Sequence, residues 1–448
     1  MSDALDRPAP HTLHDLSDDL AANRYSAVDV VDHFLRRIDD TADSIRAFVE
    51  VFHDSARRQA KESDERRLAG RPRSEIDGIP FAVKDIIGIA GQRMYAGSGA
   101  VDIVPTSDAP VIAQLRAAGG IILGTTRMHE LAYGPSGLND FDGGAYNPCY
   151  PEIIPGGSSS GSAAAVAGGL SPIAFGSDTG GSIRAPASLC QIVGFKPSYG
   201  LLSTEGVHPT APTLDHVGFL AASVDDVRIA MRVFGDVPII DGPGRGRRLA
   251  VFDEPDLTVD PAIATALRRA LDTLSNCGWR IEAVTAPSGF DVMDVSSTIM
   301  AYEAYRVNRE RLETVPERLG ADVRERLQDG SRVTSGQYER ALHEVDRVRT
   351  EVGVLAEGYD ALVNPTIPIT GPTREDAVRE DVRRMLMRNT RLQNLLGAPA
   401  ISLPGAEDGP APWGIQLFSV RGRDTELLAT AAAVAAGLAT PRPTQCMT

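Results

Sequence analysis

At 448 residues, with 42% hydrophobic and 23% charged, the chain has material for a large core, and its length alone suggests two or three domains. Sixty acidic residues against 45 basic ones give a net charge of −15, which argues against nucleic acid as a partner, because a polyanion is bound through clustered Lys and Arg. Cys149, Cys190, Cys277 and Cys446 are scattered without CxxC spacing, which fits free thiols in a reducing compartment, and the acidic start MSDALDRPAP is no signal peptide, so a cytoplasmic protein is expected.

In chain order, Ser26 caps a helix whose inner face is Val28, Val31, Phe34, Leu35 and Ile38. A charged helical stretch follows to about Leu68, then the turn-rich segment Ala69–Gly78. Ile79–Val83 is a short apolar strand ending at Lys84-Asp85. Ser107 or Asp108 begins a helix with Pro110 in its first turn, running through Leu115. Gly119-Gly120 ends it, and Ile121–Leu123 reads as a buried strand. Strand, helix and strand at this spacing predict an α/β sheet covered by helices. The Gly/Ser-rich region Gly134–Gly181 contains an Ala-rich helix, Ser162–Ala167. Gly244–Arg248 reads as a connection between two halves. Beyond it come strand Leu249–Phe252, helix Pro261–Asn276, polar helix Thr298–Leu312, strands Ala400–Leu403 and Gly414–Phe418, and a last helix from Asp424. The most apolar stretches, Ser162–Gly176 and Thr425–Thr440, are too short or interrupted to span a bilayer.

Only Lys61, Lys84 and Lys196 are lysines; the other basic residues are arginines. Where Arg is the default cation, a Lys marks a place where an amine able to give up its proton is useful. Two segments carry the chemistry: Pro155-Gly-Gly-Ser158-Ser-Ser-Gly-Ser162 and Gly176-Ser-Asp178-Thr-Gly-Gly-Ser182-Ile-Arg184. Each abuts an apolar element, unlike a flexible linker. Glycines there turn successive N–H groups toward one point, an anion nest that becomes an oxyanion hole when aimed at a tetrahedral intermediate. Ser182 follows two glycines. Its base is Lys84, which desolvation at the end of an apolar strand would bring toward neutrality; His129, His208 and His216 are the alternatives.

Other motifs are weaker. Gly157–Gly161 matches G-x-S-x-G with Ser159 as nucleophile, but Pro148, Pro151 and Pro155 fit the required preceding strand poorly. Asp178-Thr179-Gly180 matches the D-T-G of aspartic proteases, which would need two copies. S-x-x-K, HExxH, paired CxxC and GxxxxGK[ST] are absent, so no metal and no cofactor is expected.

Together, Gly78-Ile-Pro-Phe-Ala-Val-Lys84-Asp85, the Gly156–Ser162 run and Gly176–Arg184 resemble the amidase signature family, in the family's order and with Ser158 and Ser182 24 residues apart. Asn364-Pro365, Gly397–Pro404 and Gly414–Leu417 are similar to its C-terminal motifs, so the likeness runs from about His11 to Leu438. The resemblance implies one α/β/α domain, 1–448, around a large mixed sheet, with a signature core at about 78–220 and a C-terminal half at about 249–440. It replaces the domain count taken from length. It implies an amidohydrolase for a small-molecule amide: Ser182 forms the acyl-enzyme, and Ser158, in a cis peptide linkage, relays the proton to neutral Lys84. The N–H groups of Thr179, Gly180, Gly181 and Ser182 form the oxyanion hole. Asp178 and Arg184 brace the loop, although in some relatives this Arg meets a substrate carboxylate.

Ser160, Ser177 and Cys149-Tyr150 depart from the family's usual Gly, Thr and Trp-Asn. The expected partner is the small molecule, with no nucleic acid or membrane and a homodimer as candidate assembly. The alternative function is that of an amidotransferase's amidase component, supplying ammonia to a partner protein. A non-catalytic binder is hard to reconcile with all three triad residues. For specificity the sequence nominates Met128–Gly134 and the helix bearing Tyr302, Glu303, Tyr305, Arg306 and Arg309.

Overall fold

The computed structural model describes residues 12–253, 258–405 and 412–438. Its strands are β1 (Phe48–Val51), β2 (Pro80–Lys84), β3 (Ile121–Thr126), β4 (Ile173–Asp178), β5 (Val193–Lys196), β6 (His216–Ala221), β7 (Arg248–Asp253), β8 (Arg280–Thr285), β9 (Ala361–Pro365), β10 (Ala400–Pro404) and β11 (Gly414–Phe418). Among the described residues they form one eleven-stranded mixed sheet, in the order β1-β3-β2-β4-β6-β5-β10-β11-β9-β7-β8. β2 runs parallel to both β3 and β4, and β7 parallel to both β8 and β9, while β5 pairs antiparallel with β10 and so joins the two halves of the chain.

Every residue of β2, β3 and β4 is buried, and so is every residue of β9, β10 and β11. A strand buried on both faces needs helices above and below it, which explains continuous apolar runs such as Pro-Phe-Ala-Val. Phe81, Phe175, Phe219 and Phe234 pack ring against ring under the first half of the sheet, Phe175 lying 5.0 Å from Phe219 and 5.2 Å from Phe234.

Local signals set several boundaries. Ser26 and Asp29 form a reciprocal capping box on the helix Ala27–Asp40. The helix expected from Ser107 or Asp108 starts instead at Pro110, with Ala109 as its cap and Gly119 at φ 88° closing it. Asp108 stays outside because its carboxylate accepts from Ala90 N–H and Arg116. The Ala-rich helix begins at Ser160, two residues earlier than expected. The charged stretch before Leu68 is one helix only from His53, since β1 lies ahead of it as an edge strand.

Cys190 and Cys277 are free, whereas Cys149 is disulfide-bonded, a departure from the free thiols expected. Among the described residues no helix is long and apolar enough to cross a membrane.

Candidate active site

The site forms where β2 and β4 end side by side. Their register sets Val83 against Phe175. Lys84, the last residue of β2, is fully buried. Its Nζ donates to Ser158 Oγ at 2.7 Å and to Ser177 Oγ at 2.7 Å. Burial pushes the amine down to about 7, against the opposing pull of Asp178 and Asp215. Asp85 turns away: its buried carboxylate accepts from Tyr95 N–H and Gly97 N–H.

Ser158 follows a cis Gly157–Ser158 peptide bond. Its carbonyl accepts from His129 N–H at 3.0 Å, and the next residue, Ser159, donates its N–H to Ser182 O at 3.2 Å. The two serine segments are thus stitched by backbone, with no hydrogen bond between the Ser158 and Ser182 hydroxyls. The rival nucleophile Ser159 is tied to strand β4, its Oγ donating to Ser177 O and accepting from Ser177 N–H.

Loop 179–183 carries Ser182. Gly181 has φ 126°, and a Cβ there would stand 2.1 Å from Thr390 Oγ1, so only glycine fits. Thr390 Oγ1 in turn donates to Gly180 O at 2.7 Å. Asp178 braces the loop from below, accepting from Gly181 N–H (2.8 Å) and Ile183 N–H (3.1 Å). The Gly181 N–H is committed to Asp178, while those of Thr179, Gly180 and Ser182 make no hydrogen bond within the described protein.

Arg184 is fully buried and fully occupied. It forks onto Asp178 (3.0 and 2.9 Å) and donates to Gln393, Gln416 and Asn394. Burial alone would raise the Asp178 carboxyl, but Arg184 holds it well below the usual range. Removing one partner would leave an uncompensated buried charge, a loss of about 3–5 kcal/mol. Arg184 therefore supports the loop and has no donor left for a substrate.

Thr179, Gly180 and Ser182 line a cavity of about 590 Å³. The nominated segment Met128–Gly134 contributes Ala132, Tyr133 and Gly134 to its wall. The nominated helix, Val292–Thr314, contributes Met293, Ser297, Met300 and Ala301 rather than Tyr302 to Arg309. A helix repeats every 3.6 residues, and the nominated set is on its other face: Glu303 accepts from Thr213 and Tyr338, and Arg309 pairs with Glu313.

Among the described residues no histidine ring hydrogen-bonds Ser158 or Ser182. Burial pushes His129 down to about 3, with its Nε2 3.8 Å from Asp322. His216 donates from Nδ1 to Leu214 O, and with His208 it borders a separate cavity of about 460 Å³ that touches Ser177 but neither Ser158 nor Ser182. Sequence reasoning missed Ser177 as a contact of Lys84. Its signal is strand alternation, which puts Ser177 and Phe175 on one face of β4 and Asp178 on the other. It also missed Thr390 and Arg391, for which no local motif exists. Among the described residues no group of His, Cys, Asp or Glu is arranged to hold a metal ion.

A fully buried lysine thus meets Ser158 and Ser177 at the ends of the interior strands β2 and β4, while Ser182 opens on the cavity. The sequence profile of the family described as Amidase matches residues 29–428, and the chain belongs to that family. Its relatives include the A subunit of glutamyl-tRNA(Gln) amidotransferase from Symbiobacterium thermophilum, 35% identical over 91% of this chain and 92% of the relative. The corresponding protein of Methanothermobacter thermautotrophicus is 33% identical over 89% and 93%. Among solved structures, an amidase superposes with TM-score 0.89 at 30% identity, covering 95% of this chain and 99% of its own. A chain from a vestigial protein complex tied to the evolutionary origins of an s-triazine catabolic enzyme gives 0.89 at 30%, covering 96% and 99%.

Proposed function

We propose that this chain is an amidohydrolase that cleaves a small-molecule carboxylic amide through an acyl-enzyme on Ser182, acting as one domain over 1–448 in the cytoplasm without a cofactor. Ser182 Oγ attacks the carbonyl carbon while its proton passes through Ser158 Oγ to neutral Lys84 Nζ. The N–H groups of Thr179, Gly180 and Ser182 receive the oxyanion. The C–N bond then breaks as the leaving nitrogen takes the proton back along the same relay. Water, deprotonated the same way, attacks the acyl carbon and frees Ser182.

The observation that carries this reading is the 2.7 Å contact between Lys84 Nζ and Ser158 Oγ, with the amine held near 7 by burial. Ser182→Ala is the direct test. Ammonia release should fall by about 10⁴-fold or more with the fold intact by circular dichroism. Turnover within tenfold of the parent would sink the assignment.

The curated relatives support a second reading, in which the same chemistry frees ammonia for a partner protein. The two separate cleanly. A stand-alone hydrolase turns over amides when purified alone. An amidotransferase component instead co-purifies with a partner from its native host, and that partner raises its glutaminase activity.

A further inference from the structure

With Arg184 fully engaged by Asp178 and the C-terminal amides, the buried cation with donors to spare at the cavity is Arg391. It opens the helix Arg391–Leu395 and lines the same cavity as Ser182. One edge of its guanidinium is held: Nη1 donates to Ser297 Oγ at 2.5 Å and Ser296 Oγ at 3.0 Å. The other edge is nearly bare. Nη2 meets only Met387 Sδ, at 3.7 Å, and the buried Nε has no partner. That Nε lies 3.8 Å from where a Cβ on Gly180 would stand, facing the loop of the nucleophile. No carboxylate contacts Arg391 among the described residues. Arg384 and Arg326 are the cations nearest to it in effect, and Asp322 is already bridged to Arg326 and Arg383.

A buried guanidinium without an anion is costly, and an unfilled Nε/Nη2 edge is the fork that grips a carboxylate through two parallel N–H bonds. We propose that Arg391 binds a carboxylate of the substrate, so that the enzyme prefers amides bearing one carboxylate a few atoms from the scissile carbonyl. A dianionic phosphate fits less well, since Glu325, Asp329 and Glu380 also line the cavity. This inference rests on the amidase reading above. It names a specificity residue, since Arg391 touches substrate away from the reacting bond.

The test uses isosteric pairs, malonamate against malonamide and succinamate against succinamide, read as kcat/KM for ammonia release. The anionic member should win at least tenfold at one length. Arg391→Gln should collapse that ratio tenfold or more, mainly through KM, with Arg391→Lys retaining part of it. A ratio at or below one at both lengths, or one unmoved in Arg391→Gln, overturns the proposal. A second arm needs no turnover: malonate or succinate should raise the melting temperature of Ser182→Ala and fail to do so once Arg391→Gln is added. An equal rise in both proteins also overturns it. If no amide is hydrolysed but the dicarboxylate shift depends on Arg391, the amidase reading fails while the carboxylate site stands.

Discussion

Two of the three lysines, Lys84 and Lys196, are fully buried at the ends of neighbouring parts of the same sheet. Burial pushes both amines down to about 7. Their partners differ. Lys84 donates to two hydroxyls, Ser158 and Ser177. Lys196 donates to the carbonyls of Pro197 and Ala398, where strand β5 meets the C-terminal half. A hydroxyl can pass a proton on; a carbonyl cannot. A lowered pKa thus makes a lysine neutral, and only its neighbours make it a base.

The sharpest way to break this contrast is substitution. Lys84→Ala and Lys84→Arg should each lower kcat/KM by about 10²–10⁴-fold, the second because a guanidinium stays protonated. Near-normal acylation in Lys84→Arg would refute the relay. The pH profile comes next. Lys84 must be unprotonated to accept, so the rate should fall as pH drops through about 7, approaching tenfold per unit on the acid side. A flat profile from pH 5 to 9, with single-turnover acylation measured directly, would contradict it.

For the other lysine, Lys196→Met leaves two buried carbonyls without a donor. Unfolding in urea should show a loss of about 1–3 kcal/mol, with kcat/KM falling less than it does in Lys84→Ala. Replacing His129, His208 or His216 singly should leave acylation within about tenfold. A dead variant among them would move the base away from Lys84. The smallest effect is expected at Ser177→Ala. Losing an acceptor disfavours the ammonium form, so the acid limb should move to lower pH by less than one unit, whereas a shift to higher pH would reverse the assigned donor direction.

Much of the site was legible because its signals are local. Lys84 ends an apolar strand, and the glycines beside Ser158 and Ser182 mark a backbone that must turn sharply. What was not legible depends on distant partners. Arg391 is one arginine among many until the fold sets it against Gly180. Nothing local in the sequence shows that the Gly181 N–H donates to Asp178. The sequence of the helix Val292–Thr314 shows which residues are polar but not which face meets the cavity, so it points to Tyr302 to Arg309 rather than to Met293, Ser297 and Met300. In the fold, β4 was hidden inside a Gly/Ser-rich stretch, and β1 was too short for its alternation to stand out from the charged helix after it.

The brace beneath the loop of Ser182 has a consequence for biosynthesis. Arg184 is locked by Gln393 and Gln416, 209 and 232 residues further along the chain, and Gly180 is held by Thr390, 210 residues away. A nascent polypeptide that has released Lys84, Ser158 and Ser182 from the ribosome still lacks every one of these supports. The loop of Ser182 therefore gains these distant supports only near the end of translation, and a prematurely terminated product carries Lys84, Ser158 and Ser182 without them.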